Sequence, residues 1–151
     1  MKTILDNAIS ENVSQLISEG KSVELRCLGN SMQPYLRGDG SETSIISPFS
    51  PEELITGTII LFNYNGELIC HRIILRLNES LMVQGDGSID QHEIVTISQV
   101  IGIVRTIIHK NQKPVSTQTK TAQRYWHWWF RLYSIRRYLL RIYRFWNRFC
   151  M

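Results

Sequence analysis

The apolar residues between 22 and 108 come in short runs, and this limits the fold more than any other feature of the chain. Runs rich in Ile, Val and Leu occupy 43–46, 58–62, 68–77, 80–84 and 94–107, with Gly, Asn, Asp or Pro between them. Such runs read as strands rather than helices. Val23, Leu25 and Cys27 alternate with Glu24, Arg26 and Leu28, as a half-buried strand ending at Gly29 would. Asn65-Gly66 sits between two apolar runs and signals a tight hairpin. The segment 29–40 holds three glycines and Pro34 and reads as a loop. Residues 22–109 are therefore expected to form one compact, mainly antiparallel β-domain.

The ends of the chain differ from this body. Residues 3–19 place Ile4, Leu5, Ala8, Ile9, Val13, Leu16 and Ile17 at helical spacing, and Gly20 follows as a stop, so 1–21 is expected to be an amphipathic helix. Residues 110–121 are polar and read as a linker. The remaining 122–151 form a basic, aromatic tail. Residues 1–119 hold 9 Lys and Arg against all 13 acids, a net −4, whereas 120–151 hold 8 Lys and Arg and no acid. All four Trp lie in the tail. From 135 to 149 the apolar residues, Trp146 among them, share one helical face, and Arg137, Arg141, Arg144 and Arg148 lie opposite. That is too charged to span a bilayer and has the composition of an interfacial helix. Trp128, Trp129, Trp146 and these arginines are the expected contacts with a membrane surface or a partner. The same face could instead cap the protein's own core or join two copies. The acidic body offers no nucleic-acid face.

The remaining composition narrows the function. Cys27, Cys70 and Cys150 are an odd number at no metal-ligand spacing, so reduced thiols are expected rather than a disulfide framework or a zinc site. Asp86, Asp90 and His92 are too sparse a set for a metal, and no cofactor is expected. The N-terminal stretch carries Asp6, Glu11 and Glu19 through its apolar pattern, so it reads as neither signal peptide nor membrane span. A cytoplasmic protein is expected, peripheral on the inner face of the membrane if the tail binds lipid.

The chemistry centres on Gly29-Asn30-Ser31-Met32-Gln33-Pro34, followed by Arg37-Gly38-Asp39. A Ser in a glycine-flanked turn just after a strand can present its hydroxyl at a rim. Gly57-Thr58-Ile59-Ile60-Leu61-Phe62, Cys70-His71-Arg72-Ile73-Ile74 and Gln84-Gly85-Asp86-Gly87 follow in order. This succession resembles the type I signal peptidases and the wider superfamily of LexA-like self-cleaving serine peptidases. The resemblance spans about 29–104, most of the β-domain. It implies a coiled antiparallel β-domain, with an N-terminal helix and a C-terminal amphipathic helix added in this chain. It also implies a serine endopeptidase with Ser31 as nucleophile. His71 stands where bacterial members carry Lys, as in the eukaryote-like and archaeal variant.

A neutral imidazole, with an ordinary pKa of about 6.5, suits a general base near neutral pH. It needs an acceptor on its other ring nitrogen, and the resemblance points to Asp90 or Asp86, with Asp90 favoured. Gly29 replaces the Ser that many bacterial relatives use to help the oxyanion hole. That hole would then rest on the Ser31 N–H and the Asn30 amide, with Met32 and Pro34 shaping the cleft. Arg72 is expected to pair with Asp39 or Asp86. The expected substrate is a peptide or protein, with a leader-like segment of a dedicated substrate cut beside small residues. The alternative is an inactive peptidase-fold module that holds a peptide or partner protein.

Overall fold

The computed structural model describes residues 2–149, with side chains from Ala8 onward. Ile4, Leu5 and Cys150, named above, lie outside the described side chains. The order is α1 (Lys2–Ser18), β1 (Val23–Leu25), β2 (Thr43–Ser47), β3 (Ile59–Tyr64), β4 (Glu67–Leu77), β5 (Ser80–Gln84), β6 (Glu93–Thr96), β7 (Val100–Ile108), β8 (Val115–Ser116), α2 (Lys120–Arg131) and α3 (Tyr133–Phe149). The strands form a curled antiparallel sheet ordered β1-β2-β7-β3-β4-β5-β6, with β8 on β7. Mainly β is therefore the class, with one helix before the sheet and two after it.

The near-continuous apolar runs are explained by burial on both faces of the sheet. Ile59 and Leu61 of β3 join Val13, Ile17, Met32, Leu36, Cys70 and Val104 in one core beneath α1. Ile60 and Phe62 alternate to the other face and join Ile73, Leu81, Val83, Val95 and Ile103 in a second. A strand buried on both sides loses its polar alternation, which is why the sequence shows runs there. The β3–β4 turn is the expected hairpin. Asn65 and Gly66 both take positive φ, 52° and 83°, which matches the right-handed twist of the paired strands.

The tail departs from the expected arrangement. The segment read as a linker carries β8 and the start of α2, whose Thr119 side chain accepts from the Ala122 N–H. The helix expected over 135–149 is present as α3, and α2 precedes it and packs on the β-domain. Trp126 covers Gly57, where a Cβ would lie 2.2 Å from the indole nitrogen. Tyr125 packs against Tyr35 with the rings tilted, their centroids 5.1 Å apart. Both pieces of the chain therefore meet in one packed unit.

Candidate functional site

The Ser31 loop is held from below by its own apolar residues. Met32 and Leu36 are buried in the core beneath α1, and the Leu36 N–H donates to the Met32 carbonyl over 3.0 Å. This leaves Ser31 half-buried at the edge of an apolar cleft of about 550 Å³. Leu25, Cys27, Met32, Leu61, Leu68 and Cys70 line it with Ser31. β1, at the edge of the sheet, contributes Leu25 to the same cleft. Pro34, joined to Gln33 by a cis peptide bond, lies in the turn after Ser31 rather than among the cleft-lining residues.

His71 lies on β4, opposite Ile60 of β3. It is buried, and its Nδ1 lies 2.8 Å from Glu93 Oε2. A carboxylate can only accept, so Nδ1 carries the proton, and in the neutral ring the Nε2 lone pair is left free. The residue at Nδ1 is thus neither Asp90 nor Asp86. Asp90 is exposed and pairs with Arg137 at 2.7 Å. Asp86 is fully buried and takes a two-pronged pair from Arg72, Nε to Oδ1 at 2.9 Å and Nη2 to Oδ2 at 2.7 Å.

Arg72 and Asp86 act as a clamp. Burial alone would pull the Arg72 pKa down, but Asp86 outweighs it and holds the guanidinium above its ordinary value. Arg72 also donates to the Gly57 carbonyl and lies over the Tyr35 ring, 4.8 Å from its centroid. The clamp fixes the turn 85–88 against β4. From there the Gly87 N–H donates to the Ser31 carbonyl at 2.7 Å. The two glycines of this turn are required by space. A Cβ on Gly85 would lie 2.2 Å from the Ser31 carbonyl oxygen and 3.0 Å from His71 Nε2. One on Gly87 would lie 2.5 Å from the Asn30 carbonyl oxygen. The Ser31 main chain and the free imidazole nitrogen therefore converge on the same point above Gly85.

Among the described residues no direct hydrogen bond joins Ser31 Oγ to Nε2. Catalytic contacts in an unliganded site are commonly long and tighten only with substrate. Asn30 Oδ1 is occupied by the Gln33 amide at 2.9 Å, so its NH2 group is the end free to donate.

The tail closes one side of this region. Trp129 is buried, and its indole N–H donates to the Asp86 carbonyl at 2.7 Å, so it is not a membrane contact. Burial against Asp86 and the neighbouring rings pushes the Tyr125 phenol well up. Arg144 donates to Gln33 Oε1 at 3.1 Å and to the Gly87 carbonyl. Trp128, Trp146, Arg141 and Arg148 are exposed. A polar hollow of about 450 Å³ lies between the Asn30–Asp39 loop and α3, lined by Arg37, Arg144 and Arg148 among others.

Glu93 is the residue that sequence reasoning missed. It opens β6, and its position opposite Val83 brings it toward His71 across β5. The available signal was an acid leading a short apolar strand whose next inward residue, Val95, is fully buried.

No protein-family model matches the sequence, and no curated protein matches it. Among the described residues no helix is long and apolar enough to cross a membrane.

Proposed function

We propose that the chain is a signal-peptidase-like serine endopeptidase in which Ser31 is the nucleophile, His71 the general base and Glu93 the residue that orients His71. The observation that carries this reading is the imidazole held at Nδ1 by Glu93, with Nε2 and the Ser31 main chain both bordering the space above Gly85. The ordered boxes around Ser31, His71 and Gly85 support it independently.

In this mechanism His71 Nε2 takes the Ser31 hydroxyl proton as Oγ forms a bond to the scissile carbonyl carbon. The Ser31 N–H and the Asn30 amide donate to the oxyanion. Collapse breaks the C–N bond, and the imidazolium returns its proton to the leaving amine. Water then repeats the sequence on the acyl-Ser31 ester, whose C–O bond breaks to free the acid and restore the hydroxyl. Glu93 steadies the imidazolium at each stage. The substrate strand adds beside β1, with a small apolar residue next to the scissile bond facing the cleft. The protein acts peripherally on the inner face of a membrane, on a dedicated peptide or protein substrate.

A fluorophosphonate probe tests this reading. Intact-mass analysis should find one adduct, mapped to Ser31, absent in Ser31→Ala and lost in His71→Ala, with the melting temperature unchanged in Ser31→Ala. Labelling that persists in Ser31→Ala would falsify the assignment. The missing Oγ–Nε2 hydrogen bond favours a second reading, a non-catalytic module that holds a peptide in the same cleft. That reading requires no adduct in the wild type and tight binding of uncut peptides.

A further inference from the structure

A helix that caps a domain ordinarily turns its apolar face inward. α3 does the reverse. Ile135, Tyr138, Ile142, Phe145, Trp146 and Phe149 are between 48% and 72% exposed. The polar side of the helix faces the body. Arg137 pairs with Asp90, and Arg144 reaches Gln33 and Gly87. Arg136 is fully buried with no hydrogen-bond partner among the described residues. Its guanidinium rests instead near the rings of Trp129, Phe130 and Tyr133, 4.9 to 5.9 Å from their centroids. The contacts to the β-domain are thus made by the other side of the helix, and the aromatic face points outward.

We propose that this outward face of α3 docks on an anionic lipid bilayer, with the helix lying in the plane of the surface. Three observations select a bilayer. The face mixes Trp, Tyr and Phe with Ile, the composition that settles at headgroup depth. Arg141 is exposed at its edge, within a long side chain's reach of lipid phosphates. No acid occurs from 120 to 149, so the charge complement must come from the other side. A second copy of this chain on the same face would bring no acid from 120–149 to offset the arginine at its edge.

The orientation matters for the cleft. The side of α3 opposite the lipid touches Gln33 and Gly87, on the rim of the Ser31 loop. A docked helix sets that loop about one helix diameter, ~10–12 Å, from the headgroups. Under the peptidase reading, the substrate is then a segment presented at the membrane surface. The docking itself does not depend on that reading.

Vesicle co-sedimentation of the full chain tests it, with neutral phosphatidylcholine vesicles against vesicles containing phosphatidylglycerol. Binding to the anionic vesicles is expected, with a blue shift of tryptophan emission. Ile142→Ser, Phe145→Ser and Trp146→Ser combined should weaken it by about 30-fold or more. Arg141→Gln should reduce the preference for anionic lipid. These positions are exposed, so circular dichroism and melting temperature should be retained. No association with either vesicle overturns the proposal. So does a concentration-dependent dimer in light scattering that the triple variant abolishes, because a second copy then occupies the face. Ser31→Ala should bind vesicles like the wild type, so loss of probe labelling and loss of docking are separable results.

Discussion

A carboxylate at Nδ1 decides what an imidazole can do at Nε2, because it fixes the tautomer and stabilises the charge that proton transfer creates. Glu93 holds that place at 2.8 Å, while Asp86 is spent on Arg72 and Asp90 on Arg137. Glu93→Gln is therefore expected to slow probe labelling of Ser31 by about 100-fold or more with the fold intact. Asp90→Asn should leave labelling near the wild-type rate. Gly85→Ala puts a methyl 2.2 Å from the Ser31 carbonyl oxygen, and should cost about 1–3 kcal/mol in denaturant unfolding while displacing the loop. Cys27 makes a third residue-scale prediction. The neighbouring Cys70 thiol, 3.4 Å away, lowers the Cys27 pKa to about 7, while Cys70 itself is pushed well up by that pairing and by burial. Only the thiolate is nucleophilic, so alkylation of Cys27 should rise as pH passes upward through about 7. Peptide mapping after iodoacetamide treatment measures this. Cys70→Ala should move the midpoint up toward that of an ordinary thiol, about 8.5.

At the scale of elements, the site depends on how β4, the 85–88 turn and α2 are tied together. Arg72 leaves β4 to grip Asp86, and Trp129 leaves α2 to hold the Asp86 carbonyl. A buried pair broken on one side leaves an uncompensated charge. Asp86→Asn should therefore cost about 3–5 kcal/mol in denaturant unfolding. Trp129→Phe keeps an aromatic ring but loses the buried hydrogen bond and part of the indole's packing, so about 2–4 kcal/mol is expected. The existence of most strands and the 65–66 hairpin could be read from β-branched runs and turn residues. α2 could not. Its Trp and Tyr positions only acquire a face once Tyr35, Gly57 and Asp86 are assembled beneath them.

Across the whole molecule, packing is uneven. β3 lies inside the sheet between β4 and β7 and is buried on both faces, whereas α3 presents one long side to solvent. Local opening follows the density of buried apolar contact. Amide exchange in the free protein should be slowest in β3 and β7 and much faster in α3. Adding anionic vesicles should slow exchange in α3 alone. Uniform protection of both regions in the free protein would contradict the gradient. The charge split along the chain also takes on a spatial meaning. The basic tail is joined to the acidic body through Arg137–Asp90 and the Arg144 contacts, and Arg148 lines the hollow beside them.

The sequence by itself determined the class of fold, the hairpin at Asn65-Gly66 and the amphipathic pattern of α3. These follow from local periodicity and turn chemistry, which act over a few residues. It also singled out Ser31 and His71, because they stand in ordered boxes. Only the tertiary structure decided which carboxylate meets His71, that Asp86 is a buried clamp, that Trp129 is sealed under the site, and which side of α3 faces out. Those choices depend on strand pairing and on contacts between residues 14 to 111 positions apart. Glu93 reaches His71 only because β5 sets the spacing between β4 and β6. The aromatic face of α3 is outward only because the clamp and the Ser31 loop offer polar partners to its arginines.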